Sequence, residues 1–243
     1  MIPRPYFTKE GILWVRDVDT PKGKMRVMQH QGVYQSASFV DERRFDPPFA
    51  YLVLFDHVFE LGCGVSAGVL MIGGGGYSWP KHVLASRPDV SLDVVEFDPA
   101  FTRAARKHLF LDEALKKAGD SDRLQVHHDD GLAYLMGTEQ RYAAIVNDAF
   151  VGEVPDQALM AEEGLEQIRR HLVEGGAYFV NVVADQGTAA YDDALHCVGR
   201  AFVHTYVIDA RDVELSDVDN YLVVGSDVEQ PFTEVLEHRV RLL

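Results

Sequence analysis

A run of four glycines opens I-G-G-G-G-Y-S-W-P-K-H-V-L at 72–84, and Glu96 lies 23 residues beyond Gly73. Glycine lets a backbone come close to a ligand and adopt dihedrals that a side chain forbids. An acid at that spacing can hydrogen-bond the hydroxyls of a ribose. Asp129-Asp130-Gly131 and Asp148 follow further along. Read as G-x-G-x-x-G, the run gives Gly73, Gly75 and then Ser78, so the third glycine of a dinucleotide fingerprint is missing. The loop shows no positive charge to meet a pyrophosphate. Successive acids better suit a ligand with an adenine amine, ribose hydroxyls and a cationic sulfonium. Gly73, Gly74, Gly75, Glu96 and Asp130 are therefore candidate nucleoside ligands, although Asp130 and Asp148 also read as ordinary turn acids or helix caps. A second glycine motif, E-L-G-C-G at 60–64, stands too close to the strand at 69 for a helix to follow it, and reads as a turn.

These residues need strands and helices to present them. V-L-M-I (69–72) is a continuous apolar run, as expected of a strand buried on both faces. L-D-V-V-E-F (92–97), R-L-Q-V-H (123–127), Y-A-A-I-V-N (142–147) and G-A-Y-F-V-N-V-V (176–183) read as further strands. Asp98-Pro99 reads as a helix N-cap and first turn. Leu165, Ile168 and Leu172 give helical spacing, ended by Gly175-Gly176. V-H-T-Y-V-I (203–208) and N-Y-L-V-V-G (220–225) leave no room for a crossover helix and should pair antiparallel. The alternation implies a doubly wound, Rossmann-like α/β fold. The sheet is expected to have seven strands, mostly parallel with an antiparallel last strand, and its ligand at the strands' carboxyl ends. Residues 1–48 read as a small β region with a hairpin turning at Gln31-Gly32, and the polar stretch 41–48 divides it from a nucleoside-binding domain over 49–243.

Composition narrows the classes. The 243 residues carry 23 basic and 38 acidic side chains, a net charge of −15, which argues against nucleic acid or an anionic membrane surface as main partner. No stretch approaches the roughly 18 apolar residues of a membrane span, and the first ten residues lack the apolar core of a signal peptide. A cytoplasmic location is the expectation. Cys63 and Cys197 form neither a disulfide framework nor a zinc site. His127 and His128 are adjacent in a strand, point to opposite faces and do not suit a shared metal.

At the quoted motifs the sequence resembles the spermidine synthase family of aminopropyltransferases, within the class I S-adenosylmethionine-dependent methyltransferase fold, over residues 25–225. V-Y-Q-S (33–36) resembles that family's glutamine-bearing strand. V-L-M-I-G-G-G-G resembles the nucleoside loop, V-V-E-F-D-P the ribose strand and H-D-D-G the adenine motif. N-D-A-F-V-G-E-V-P (147–155) is similar to the spermidine-synthase-like branch. There are departures too. Gly76-Tyr77-Ser78 replaces the D-G-G of G-G-G-D-G-G, Val151 stands at the second aspartate of D-x-x-D, and Tyr51-Leu52-Val53 keeps only the tyrosine of Y-H-E.

The resemblance implies a transferase of polyamine biosynthesis, homodimeric and without a metal, that moves an aminopropyl group from decarboxylated S-adenosylmethionine to a small amine. It implies Asp148 as the carboxylate that orients or deprotonates the amine, Gln35 on the nucleoside and Tyr51 at the amine, with Glu153 as a substitute for the acid lost at Val151. Two other readings stay open: a methyltransferase using S-adenosylmethionine itself, and a nucleoside-binding protein without transferase activity.

Overall fold

The first strands bury alternate residues, and that alternation sets how the N-terminal sheet packs. β1 (Arg4–Thr8), β2 (Gly11–Thr20), β3 (Gly23–His30) and β4 (Val33–Phe39) form an antiparallel sheet in chain order. The β3–β4 turn carries Gln31 at φ 50° and Gly32 at φ 87°, as a two-residue turn with two left-handed positions requires. Leu13, Val15 and Met28 face the main core. Met25, Val27, Ala37 and Phe39 pack against Phe49 on the other side. That second face continues into Phe7, Ile12, Trp14 and Tyr34, which are exposed. The computed structural model describes residues 1–62, 68–119, 121–151, 154–211, 219–232 and 240–242. Cys63, Gly64, Glu153 and most of the acid-rich stretch D-A-R-D-V-E-L-S-D-V-D (209–219) thus lie outside the described residues.

The rest of the chain alternates helices and strands. α1 (Ala50–Gly62) precedes β5 (Val69–Ile72), α2 (Ser78–Ser86), β6 (Leu92–Val95), α3 (Pro99–His108), α4 (Leu111–Ala118), β7 (Leu124–His127), α5 (Gly131–Gly137) and β8 (Tyr142–Asn147). A two-residue ribbon of β9 (Phe150–Val151) and β10 (Val154–Pro155) follows. Then come α6 (Gln157–Met160), α7 (Glu162–Arg170), β11 (Leu172–Val183), α8 (Ala189–Ala201), β12 (His204–Asp209), β13 (Asn220–Ser226) and β14 (Val240–Leu242). The large sheet has the order β14-β12-β13-β11-β8-β5-β6-β7. β13 runs antiparallel to both β11 and β12, as the short connection requires. β14 adds an eighth strand, antiparallel at the edge beside β12. No helix among the described residues is long and apolar enough to cross a membrane.

The apolar runs follow from burial on both faces. Val69 and Met71 enter one core, with Phe179, Leu222 and Val224. Leu70 and Ile72 enter the other, with Ile145, Val180 and Val223. Asp98 caps α3 by accepting from Ala100 N at 2.8 Å. The helix expected to run through Leu172 stops at Arg170 instead. His171 turns to Gln140 O at 2.7 Å, and Leu172 already pairs with Tyr142 as the first residue of β11. Gly175, at φ +78°, lies inside this strand where its register shifts. β1 falls within the expected β region, whereas α4 carries no distinctive motif and is not anticipated.

Candidate active site at the strand exits

The loop after β5 turns back on itself. Gly73 has φ +93°, Gly75 φ +48° and Tyr77 φ 56°. A Cβ on Gly73 would lie 2.4 Å from the carbonyl oxygen of Asp148, so glycine is required both by dihedral and by the close pass of the chain leaving β8. Tyr77 takes a left-handed conformation despite its size. Its ring fills the space under Gly74 and its hydroxyl pairs with Thr102 Oγ1 at 2.8 Å.

Glu96 stands at the exit of β6, only 7% exposed. Its Oε2 accepts from Gly74 N at 3.1 Å and Gly75 N at 2.9 Å, and its Oε1 from Asp98 N at 2.9 Å. Burial raises its pKa against the lowering effect of these three bonds. A carboxylate has about four acceptor positions, so among the described residues three are filled and one, on Oε1, is left for an incoming hydroxyl. The same bonds argue against a dinucleotide: the loop N–H groups that would cradle a pyrophosphate already hold a carboxylate. Beside Glu96 the Phe97 ring is 51% exposed. The β1–β2 turn reaches this edge, with Lys9 N bonded to Asp98 Oδ2 at 2.5 Å and Lys9 Nζ to Phe97 O at 2.8 Å.

The remaining nucleoside candidates sit around this edge. Asp130 is exposed and caps α5 through Ala133 N at 3.0 Å. Gln35 is exposed on β4, where it is the residue left unpaired by a bulge, since Tyr34 pairs with Gln29 and Ser36 with Met28. Bulges re-aim side chains near sites, and the Gln35 backbone passes close to Gly75. Its neighbour Ser36 is buried against Ser78, Oγ to Oγ at 3.0 Å. The buried Lys81 ties α2 to the N-terminal sheet through Ser38 Oγ, and to Leu109 O at 2.6 Å. Burial lowers its pKa to about 7.

Asp148 follows β8 directly, its N–H donating to Ile72 O at 2.9 Å. The Tyr51 hydroxyl, from α1, donates to Asp148 Oδ2 at 2.9 Å, and Asn181 Nδ2, from β11, donates to Oδ1 at 2.9 Å. Burial raises the Asp148 pKa to about 6, while these two bonds pull it down. Burial and the neighbouring Asp148 hold the Tyr51 hydroxyl well above its ordinary value, so it stays protonated. α1 is fixed by the buried Asp56, which accepts from Trp79 Nε1 at 3.0 Å and Arg87 Nη2 at 2.7 Å. Burial pushes the Asp56 pKa up, but bonds from His82, Arg87 and Trp79 overcome it and hold it well below the usual carboxylate range. Sequence reasoning missed Asn181. Its signal was there: it is the one polar residue in the otherwise apolar run A-Y-F-V-N-V-V.

The departures also acquire a place. A Cβ on Gly76 would meet Ser36 Oγ at 2.3 Å and Leu109 Cδ2 at 2.7 Å. That direction leads into the packing between β4 and the end of α3, so this loop cannot take an aspartate at 76 without displacing a neighbour. The pair His127 Nε2 to Asp93 Oδ1, 2.7 Å, joins the end of β7 to β6 along a cavity of about 610 Å³ lined by Gln125, Tyr134 and Gln140. His128 faces Thr102 Oγ1 instead, at 3.1 Å. Among the described residues no three His, Cys, Asp or Glu side chains converge as a metal site would need.

Comparison with known proteins places this geometry. The chain is 30% identical over 192 residues to polyamine aminopropyltransferase 1 of Pseudomonas aeruginosa, covering 75% of this chain and 64% of that protein. It thus spans less than two thirds of that relative's length. It superposes on a probable spermidine synthase from Corynebacterium glutamicum with a TM-score of 0.76 at 20% identity, covering 94% of this chain and 81% of that one. It superposes on a spermidine synthase in complex with the transition-state analogue AdoDATO with a TM-score of 0.72 at 19% identity, covering 95% and 76%. At those identities the structural likeness speaks for the fold. The spermine/spermidine synthase domain matches residues 50–187, more than half of the sequence, and the chain belongs to that family.

Proposed function

We propose that the chain is an aminopropyltransferase that takes decarboxylated S-adenosylmethionine and transfers its aminopropyl group to a small amine. The observation that carries this reading is Asp148: a carboxylate held by Tyr51 and Asn181, titrating near 6, beside a glycine loop bonded to Glu96. Glu96 offers its remaining acceptor position to the ribose, with Gln35, Asp130 and the loop glycines around the nucleoside. The P. aeruginosa relative is named a polyamine aminopropyltransferase, and one structural neighbour is described with a transition-state analogue. Both support the substrate class.

The chemistry is a displacement. The amine lone pair forms an N–C bond to the methylene beside the sulfonium, the C–S bond breaks with its electrons passing to sulfur, and methylthioadenosine leaves as a neutral thioether. The N–H pair returns to nitrogen as the proton passes to Asp148. Such a step needs alignment and an unprotonated amine. A base titrating near 6 is largely ionised at pH 7 and still able to accept a proton. No acid stands at Gly76 or Val151, so the diamine site is altered from that of a true synthase. Glu153 lies outside the described residues and is proposed to supply that charge.

In this reading residues 1–48 close over a transferase domain at 49–243. The exposed Phe7, Ile12, Trp14 and Tyr34 form the kind of apolar face that a homodimer would cover. The protein works in the cytoplasm. The test is an assay of the purified chain with decarboxylated S-adenosylmethionine and a panel of amines, beside calorimetry with S-adenosylmethionine and methylthioadenosine. An aminopropylated amine and methylthioadenosine in equal amounts are expected. Tight binding of S-adenosylmethionine with no aminopropyl transfer would favour a methyltransferase, and binding of methylthioadenosine alone a nucleoside-binding protein.

A further inference from the structure

The orientation of Asp148 is set beyond the two groups that touch it. Asn181 Nδ2 donates to Asp148 Oδ1 at 2.9 Å, and Asn181 Oδ1 in turn accepts from Asn220 Nδ2 at 3.0 Å. The three residues sit on three neighbouring segments: the exit of β8, the end of β11 and the first position of β13. An amide oxygen only accepts and an amide nitrogen only donates. With its oxygen taken by Asn220, Asn181 has its nitrogen committed to Asp148. Turning that amide over would set oxygen against carboxylate and NH₂ against NH₂. Asn181 is 4% exposed, and a buried mismatch of this kind has little water to relieve it.

The two oxygens of Asp148 are therefore unequal. Oδ1 faces a donor that cannot accept, so no proton can lie between them. Oδ2 faces the Tyr51 hydroxyl, which can donate or accept. We propose that Asn220, acting through Asn181, is a positioning residue that reserves Asp148 Oδ2 as the oxygen receiving the proton of the acceptor amine. In that transfer the amine N–H bond breaks, an Oδ2–H bond forms, and Tyr51 turns from donor to acceptor while Oδ1 stays bonded to Asn181. The amine rests on the function proposed above; the inequality of the oxygens does not. The groups facing Asp148 are Tyr51 from α1 and Asn181 from β11, and among the described residues no charged side chain contributes to its titration. Losing the orienting donor should leave burial less opposed and raise the pKa.

The test is carbon-13 NMR titration of the Asp148 carboxyl in the full chain, which needs no substrate. Asn220→Leu should raise its pKa by about half to one pH unit, with methylthioadenosine affinity unchanged within twofold. Asn220→Gln keeps a donor and should recover at least half of the shift. Asn220→Ala serves in place of leucine should that variant not fold. In the transfer assay the acid limb of the pH–rate profile should move up by the same amount. A folded Asn220→Leu or Asn220→Ala protein whose Asp148 titrates as in the wild type would overturn the proposal. A shifted titration in a protein that transfers nothing to amines would uphold the positioning role and count against the proposed activity.

Discussion

The exits of β6 and β8 each present a carboxylate, buried at Glu96 and half-buried at Asp148, and loss of solvent raises the pKa of both. Their partners differ in kind. Glu96 accepts from three backbone N–H groups, two of them in the glycine loop. Asp148 accepts from two side chains, Tyr51 and Asn181. Backbone donors cannot turn away unless the loop itself reorganises, so Glu96 is fixed as a brace for the loop with one acceptor position to spare. Side-chain donors can rotate, so Asp148 can gain and lose a proton while the main chain stays still. One acid builds the site and the other is free to do chemistry in it.

The comparison breaks most visibly at Asp148. Asp148→Asn should slow transfer by about 10²–10⁴-fold, the loss expected of a positioned base, while nucleoside affinity is kept. Steady-state kinetics beside calorimetry with methylthioadenosine would read both quantities. Glu96→Gln should do the reverse at the level of binding. Affinity for methylthioadenosine should fall by about 1–3 kcal/mol, through loss of a charged acceptor. Amide hydrogen exchange at Gly74 and Gly75 should also quicken, because an uncharged amide replaces the carboxylate whose Oε2 holds both. Unchanged exchange in that variant would remove the brace from the account.

Two smaller effects concern stability. Gly76→Asp forces a side chain into Ser36 and Leu109, and should cost about 1–3 kcal/mol in chemical denaturation, as overpacking does. It should gain no diamine transfer. Asp148→Asn should stabilise the fold at pH 7 by about 1–2 kcal/mol. The sign follows from the raised pKa. Between the ordinary value of 3.8 and about 6 the folded state binds more protons than the unfolded one. The Asp148 contribution therefore falls as pH rises through that window, and a neutral amide escapes the penalty. Below pH 4 wild type and variant should melt alike.

The sheet was legible because its strands are buried on both faces. V-L-M-I and Y-A-A-I-V-N read as continuous apolar runs, and their alternate residues do enter opposite cores. Leu172 was misread because an apolar residue at helical spacing is equally apolar in a strand. The stop at Arg170 is a tertiary event, made by His171 on Gln140. At the site, spacing and resemblance pointed to the loop glycines, Glu96, Asp148 and Tyr51, but not to Asn181 or to the bonds among them. Asn181 and Asn220 lie on strands that meet only through the sheet order, and Asn181 is 33 residues from Asp148. The bonds of Glu96 to Gly74 and Gly75 were likewise hidden, since spacing says which residues meet a ligand and not which meet each other.

The most direct test of the account is the pH dependence of methylthioadenosine release from decarboxylated S-adenosylmethionine in the presence of an amine acceptor. Wild type should show a rate that climbs as pH rises through about 6, where Asp148 loses its proton. Asp148→Asn should release methylthioadenosine at least 10²-fold more slowly, without that limb. Equal rates in the two proteins, or a limb near pH 6 that survives the substitution, would contradict Asp148 as the group that takes the proton.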